Sequence, residues 1–200
     1  DDFMAKLTSR QKQAIATKLK ISDTAFTLFR EYGYEKVKIT DICQKANISV
    51  GNFYHYFESK EKIIENSYKQ IELLLKSDIE VGEYESSFEK ALAIFKSASS
   101  ILDGELGWRF VAQSYRLIIT STSKYTISHE RYAYSGLIET IQNGIDSGEF
   151  ASDLTALEIT EACMRAGRGV VFDWCVREGS YKLADLMVSD VSRVLSTFKA

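Results

Sequence analysis

Proline is absent from the 200 residues of this chain, and its eleven glycines are scattered rather than clustered. Because proline breaks helices and punctuates loops, its absence favours long uninterrupted helices. The chain also lacks stretches of alternating apolar and polar residues bounded by Asn-Gly or Asp-Gly turns, which is the pattern of β-hairpins. These absences predict an all-α fold.

Cysteine and long apolar runs are also scarce. The three cysteines, Cys43, Cys163 and Cys175, are odd in number and far apart, which is typical neither of a disulfide framework nor of a zinc site. No apolar run approaches the ~18 residues that span a bilayer, and the first residues lack the basic and apolar regions of a secretion signal. We therefore expect a cytoplasmic protein with reduced thiols, no metal, no cofactor and no membrane segment.

The net charge of the whole chain is small, −3 at pH 7, and a negative net charge by itself argues against a nucleic-acid partner. Its distribution is uneven. Residues 1–69 carry 12 Lys and Arg against 9 Asp and Glu, whereas residues 70–200 carry 13 against 19. Because phosphate responds to the local field of a domain, this asymmetry favours a two-part protein whose amino-terminal part binds nucleic acid.

Residues 21–64 hold the most informative pattern, three apolar blocks of helical period separated by short turn signals. The first helix should end at Gly33. After a short second helix, Asn47 stands where the chain must reverse, and asparagine tolerates the left-handed backbone needed there. Ser49 is the expected cap of a third helix over residues 50–57. Three short helices in this arrangement are typical of a helix-turn-helix.

The third helix carries five consecutive ring-bearing residues, FYHYF. Phe53 and Phe57 are four residues apart and share one face, which we expect to be buried. Tyr54, His55 and Tyr56 must then point partly or wholly outward. Exposed hydrogen-bonding aromatics of this kind favour a helix that docks on DNA.

The remaining chain consists of longer amphipathic blocks. We expect residues 1–60 to form a helix-turn-helix domain, with a linking helix from about residue 60, and residues 61–200 to form a second domain. The periodicity predicts about nine helices, of which the longer ones lie near residues 8–32, 60–80, 85–102, 105–120, 128–147, 154–178 and 181–198, with breaks at 103–104, 120–126, 148–153 and 179–180.

The amino-terminal pattern resembles that of the TetR family of bacterial transcriptional regulators. The agreement in spacing, turns and aromatic order covers less than a quarter of the chain and rests on Ala25, Phe29, Gly33, Tyr34, Ile42, Ala46, Ile48, Ser49, Gly51, Phe53, Tyr54, Tyr56, Phe57, Ser59, Lys60 and Glu61. The resemblance implies a homodimer with two DNA-binding heads. It also implies a larger domain that binds a small effector and dimerises through its last two helices, without any catalytic residue.

Carried onto this sequence, the resemblance implies that the helix from Val50 to Tyr56 enters the major groove of a double-stranded, palindromic operator. Asn52 is suited to adenine, and Lys60 would contact phosphate because its charge is unfavourable at the start of a helix. The threonine pair common in the family is replaced here by Lys38 and its neighbours, and the usual turn glycine by Asn47. The implied DNA-binding residues are Lys38, Thr40, Ser49, Val50, Gly51, Asn52, Tyr54, His55, Tyr56 and Lys60.

The second domain is rich in aromatic residues, most of which we expect to form its core. An apolar cavity with a few polar groups is nevertheless the usual form of a small-molecule site. An arginine buried beside the aromatics would favour an anionic or amphipathic effector. The candidate ligand residues are Phe95, Trp108, Tyr115, Arg165 and Phe172.

The sequence therefore predicts a repressor whose operator binding is released by a small hydrophobic or amphipathic effector. The alternative from another class is a helical ligand-sensing dimer whose output is a protein partner rather than DNA. An enzyme ranks third, because no acid or base partner is evident for His55, and turnover that is lost when His55 or His129 is changed would revive it.

Overall fold

Helix α1 begins at Ser9 and is the first of nine helices in a computed structural model that describes residues 8–120, 127–151 and 153–200. A 3₁₀ turn over Tyr34–Lys36 follows α1, and a π-helical turn over Leu102–Leu106 follows α5. The helices are α1 Ser9–Tyr32, α2 Ile39–Ala46, α3 Val50–Tyr56, α4 Lys60–Glu80, α5 Ser87–Ile101, α6 Trp108–Thr120, α7 Tyr132–Asp146, α8 Ala156–Val176 and α9 Leu183–Ser196.

These boundaries agree with the predicted ones to within about one helical turn. The all-α prediction is confirmed for the described ranges, which hold no strand and only one isolated antiparallel bridge, between Phe150 and Lys199. The predicted break at 103–104 falls inside the π-helical turn. The predicted break at 120–126 lies almost wholly outside the described residues.

The chain divides into two compact units between Ser67 and Tyr68, and this boundary falls inside α4. We call the first unit the head. Its core is built on α1, where Ile21, Ala25 and Phe29 recur at helical spacing and are fully buried. Helix α2 packs against α1 and α3 packs against α2, so the short helices of the head acquire their stability from tertiary contacts.

The second unit contains the longer helices. Helix α5 packs against α7 and α9, and α8 packs against α6, α7 and α9. The connection between α7 and α8 is tied back to the start of α5, because the Glu149 carboxylate accepts the N–H groups of Ser87 at 2.8 Å and Phe88 at 3.1 Å. Glycine is required at 144, where an added Cβ would lie 2.3 Å from the buried Phe150 ring.

No helix in the described part of the chain combines the length and the apolar character needed to cross a bilayer. The three cysteines are free thiols, and two of them, Cys43 and Cys163, are buried. Burial raises the pKa of the Cys163 thiol to about 12, so this group is protonated at neutral pH.

Candidate nucleic-acid interface and effector cavity

The turn between α2 and α3 has the geometry that the sequence predicts. Asn47 adopts the left-handed conformation, with φ 54° and ψ 54°, and its N–H donates to the carbonyls of Cys43 and Gln44. The N–H of Ile48 also donates to the Cys43 carbonyl, at 3.0 Å. These bonds satisfy the end of α2 and reverse the chain into α3.

Helix α3 begins with the predicted cap, since the Ser49 hydroxyl accepts the N–H of Asn52 at 3.0 Å. Phe53 and Phe57 are buried in the core of the head, as their spacing predicts. Tyr54 is 53% exposed and His55 is also exposed, which confirms the expected division of the helix into a buried and an accessible face.

The other residues of the implied DNA-binding set are accessible to different degrees. Tyr56 is half-buried, whereas Lys38 and Thr40 are exposed at the start of α2. The side chains of Ser49, Val50 and Asn52 are exposed as well, and Gly51 lies between them. A partner could therefore reach the start of both helices, while the roles of individual residues in DNA binding stay predictions.

Lys60 has a different environment from the one that its sequence position suggests. Its ammonium donates to the backbone carbonyls of Tyr34 at 2.9 Å and Val37 at 2.7 Å, and it lies 4.2 Å from the centroid of the Tyr34 ring. Two of its three N–H groups are thus used inside the head. The phosphate contact of Lys60 stays a prediction that would have to use the remaining N–H.

Tyr34 joins the same cluster from its other end, because its hydroxyl donates to the Glu61 carboxylate at 2.7 Å. Burial and this bond raise the pKa of Tyr34, so the hydroxyl keeps its proton and remains a donor. Lys60, Tyr34 and Glu61 together fix the start of α4 to the segment that precedes α2. The phosphate contact predicted for this lysine rests on its place in the first turn of α4, whereas its partners lie in the segment before α2.

The second unit contains a partly open cavity of about 160 Å³ whose walls are mostly apolar side chains from α5, α6, α8 and α9. Two members of the predicted ligand set, Phe95 and Tyr115, line it. Tyr68 from α4 contributes another aromatic wall. Burial raises the pKa of both tyrosines, so their hydroxyls are neutral groups that can donate to an acceptor.

Two arginines bring positive charge to this apolar cavity. Arg131 is almost buried, and its Nε donates to Glu72 Oε1 at 2.8 Å in an ion pair with that buried carboxylate. The second oxygen of Glu72 accepts the N–H of Ala133, at 2.8 Å, at the start of α7. Arg168 donates to the Tyr134 hydroxyl at 2.6 Å and lies about a third exposed.

Three predicted ligand residues do not line the cavity. Trp108 packs against Gly179 and its carbonyl accepts a weak bond from the Cys175 thiol at 3.8 Å. The Arg165 side chain is exposed and faces Glu161, and Phe172 is 60% exposed. These three residues lie outside the cavity, and their role in ligand binding stays a prediction.

Helical phase explains why Arg165 and Phe172 on α8 lie outside the cavity. The cavity is lined by Met164, Gly167, Arg168 and Val171, which recur at i, i+3, i+4 and i+7, whereas Arg165 and Phe172 lie outside this face. That periodicity is visible in the sequence and could have selected Arg168. Nothing in the sequence indicated that Arg131 would reach the cavity, because its loop position has no helical phase.

Comparison with known proteins agrees with the geometry of the head. Residues 21–66 match the model for bacterial regulatory proteins of the tetR family. The chain is 22% identical over 188 residues to the fatty acid metabolism regulator protein of Bacillus subtilis, covering 92% of this chain and 97% of that protein. It is 44% identical over 50 residues, 25% of this chain and 27% of that protein, to IcaR, the negative transcriptional regulator of the Staphylococcus aureus biofilm operon.

Among solved structures, that of FadR from Bacillus subtilis in complex with stearoyl-CoA is similar with a TM-score of 0.69. The identity is 20%, and the match covers 89% of this chain and 97% of that one. A likeness at this identity establishes the fold, and the match to the head identifies the helix-turn-helix. Residues 21–66 therefore carry the helix-turn-helix of the tetR family of bacterial regulatory proteins, and the chain shares its fold with the FadR structure.

Proposed function

We propose that this protein is a homodimeric, cytoplasmic repressor that binds an operator through α3 and releases it when a small amphipathic effector enters the cavity. The observation that carries the DNA-binding half is the division of α3. Phe53 and Phe57 anchor the helix in the core, and this leaves the side chains of Asn52, Tyr54 and His55 free to meet a partner.

The roles within this face follow from side-chain chemistry. Asn52 presents an amide that can bond an adenine edge through two atoms, and His55 lies three residues further along the exposed face. Tyr54 and Tyr56 can donate their hydroxyls to phosphate oxygens, as can Lys38 at the start of α2. We assign base specificity to the amide of Asn52 and affinity for DNA of any sequence to Lys38.

Selection of duplexes from a random-sequence library by the purified protein tests the DNA-binding half. We expect one palindromic sequence to emerge and its affinity to fall steeply with salt, because each phosphate contact releases counterions. Asn52→Ala should reduce the preference for one base pair by about 1–3 kcal/mol. Lys38→Ala should weaken binding to all duplexes and lower the salt slope by about one.

Lys96→Ala and Asn143→Ala are the matched controls, because both residues are exposed on the second unit. Neither change should alter the affinity or the selected sequence. If the protein selects no duplex, or if Asn52→Ala leaves every base preference intact, the assignment of α3 as the recognition helix is wrong. The first result would favour a protein partner as the output.

The effector half rests on the cavity and on the residue pair beside it. Glu72 lies on α4, the helix in which the division between the two units falls, and it holds Arg131 at the cavity wall. A ligand that engages Arg131 therefore competes with a contact made by α4. The two states are the conformation that binds DNA and the one that releases it. The ligand can change the free energy of DNA binding only by the difference between its own binding free energies for these two conformations.

Dimerisation is assigned to the outer face of α8. Phe172 and Val176 are four residues apart and exposed, and a Cβ added at Gly169 on the preceding turn would meet no other described element within 4 Å. An exposed apolar pair beside a glycine is suited to close approach of a second helix. A two-fold dimer would also supply the second head that a palindrome requires.

A further inference from the structure

The wall of the cavity has a definite charge. Of its sixteen lining residues in the described ranges, Arg131 and Arg168 are the charged members, and none is Asp or Glu. The carboxylates that pair with these arginines, Glu72 with Arg131 and Glu161 at 3.7 Å from Arg168, are not among the lining residues. Tyr68 and Tyr115 add hydroxyl groups. An occupant in contact with this wall gains most if it carries negative charge.

Arg168 has donors to spare for such an occupant. A guanidinium carries five N–H groups in a planar fork, and among the described residues this one gives a close bond only to the Tyr134 hydroxyl. Its contact with Glu161, at 3.7 Å, is longer than a hydrogen bond, and Glu161 is shared with Arg165 at 3.6 Å and His129 at 3.2 Å. A carboxylate matches the fork of the guanidinium and would complete its coordination.

The size of the cavity limits the apolar part of the occupant. A cavity of about 150 Å³ in a protein core is known to accept benzene, which has about six carbon atoms. The cavity here measures about 160 Å³. Gly167 limits one side, because an added Cβ would lie 3.1 Å from the Phe95 ring and 3.3 Å from the Met187 sulfur.

We propose that the effector of this cavity is a small free carboxylate whose apolar part has about six carbon atoms, with Arg168 as its principal anchor. This ligand differs in kind from the long acyl thioester held by the B. subtilis structure. The inference rests on the proposed function, because it specifies the ligand of the same cavity. Arg168 binds the carboxylate, and the wall around Met164 and Gly167 limits the length of the apolar part of the ligand.

Calorimetric titration of the full-length protein with acetate, butanoate, hexanoate, octanoate and dodecanoate tests the length. Each methylene that enters an apolar cavity should raise the affinity about fourfold, so we expect a rise to hexanoate and a fall beyond it. Met164→Ala enlarges the cavity and should move the optimum to octanoate. Leu157→Ala, at an exposed leucine that does not line the cavity, should leave the optimum at hexanoate.

The head group is tested by Arg168→Gln, which should weaken hexanoate binding about ten- to a hundredfold and leave the binding of hexanamide unchanged. Arg109→Gln removes an exposed arginine outside the cavity and should change neither. The inference is overturned if affinity rises through dodecanoate, if hexanoyl-CoA binds while hexanoate does not, or if no carboxylate binds. Binding of the selected duplex, measured on the same samples, reports separately on the proposed function.

Discussion

At the scale of single residues, burial separates neighbours on α3 that have similar chemistry. The Phe53 ring is fully buried, whereas Tyr54, with its ring centroid 5.5 Å from that of Phe53, is 53% exposed. Burial of the whole Phe53 ring therefore contributes more to the stability of the head than the partial burial of the Tyr54 ring. A difference in stability between variants at the two positions should follow.

Phe53→Ala should lower the free energy of unfolding of the head by about 3–5 kcal/mol, because it leaves a cavity in a core that cannot fully collapse. Tyr54→Ala should change it by less than about 1 kcal/mol. Urea denaturation followed by circular dichroism measures both. Equal losses for the two variants would contradict the division of α3 into a buried and an exposed face.

The position of Lys60 leads to a second residue-scale prediction. Lys60→Gln should lower the stability of the head by about 1–3 kcal/mol, because it removes charged bonds to two carbonyls. It should leave the salt slope of duplex binding unchanged, since the ammonium is turned towards the backbone. Lys62→Gln is the control, because Lys62 is exposed and pairs with Glu65 at 2.8 Å.

A lowered salt slope with unchanged stability in Lys60→Gln would show instead that this lysine binds phosphate. The two readouts thus separate a contact within the protein from a contact with DNA.

At the scale of elements, a buried ion pair joins α4 to the start of α7. Glu72 and Arg131 are 8% and 12% exposed, and Glu72 also accepts a backbone N–H at the start of α7. Breaking a buried pair by removing one partner is costly because it leaves the other charge unpaired. The pair Lys62–Glu65 on the same helix is exposed, so water weakens the attraction between its charges. It serves as the comparison for the buried pair.

Arg131→Met should lower the free energy of unfolding by about 3–5 kcal/mol, since it strands the Glu72 carboxylate. The double variant Glu72→Leu with Arg131→Met should recover most of this loss, because no buried charge remains. Glu65→Gln should cost less than about 1 kcal/mol. Denaturation of the four proteins gives the result, and a double variant less stable than Arg131→Met would contradict the account.

At the scale of the whole molecule, one face of α8 lines the cavity and another face is exposed. Met164, Gly167, Arg168 and Val171 face the cavity, while Phe172 and the residues around it face solvent in a single chain. An exposed apolar face on an otherwise well-packed unit indicates an interface. The proposed dimer therefore depends on the same helix that supplies the effector anchor.

Phe172→Glu should convert the protein from a dimer to a monomer, because two carboxylates would be brought together at the two-fold axis. Sedimentation equilibrium measures the state, and binding to the selected palindrome should weaken in parallel. Leu157→Glu, at an exposed leucine near the start of α8, should leave the dimer intact. A Phe172→Glu protein that remains dimeric would exclude this face as the interface.

Local sequence patterns are enough to predict the helices, the turn at Asn47, the cap at Ser49 and the buried and exposed faces of α3. These features depend on backbone preferences and on periodicity within a few residues, which a sequence displays directly. The pattern in the head was also sufficient to indicate the family, since its spacing fixes three helices and their order.

Packing between helices, by contrast, sets the partners of Lys60 and Arg131 and the aromatic side chains that surround the cavity. Lys60 finds its partners at Tyr34 and Val37, and Arg131 finds Glu72 fifty-nine positions away. Trp108 and Phe172 resembled cavity residues in composition, but helix packing directs them elsewhere. Contacts between residues distant in the chain depend on how whole helices pack, and local sequence patterns carry no record of that packing.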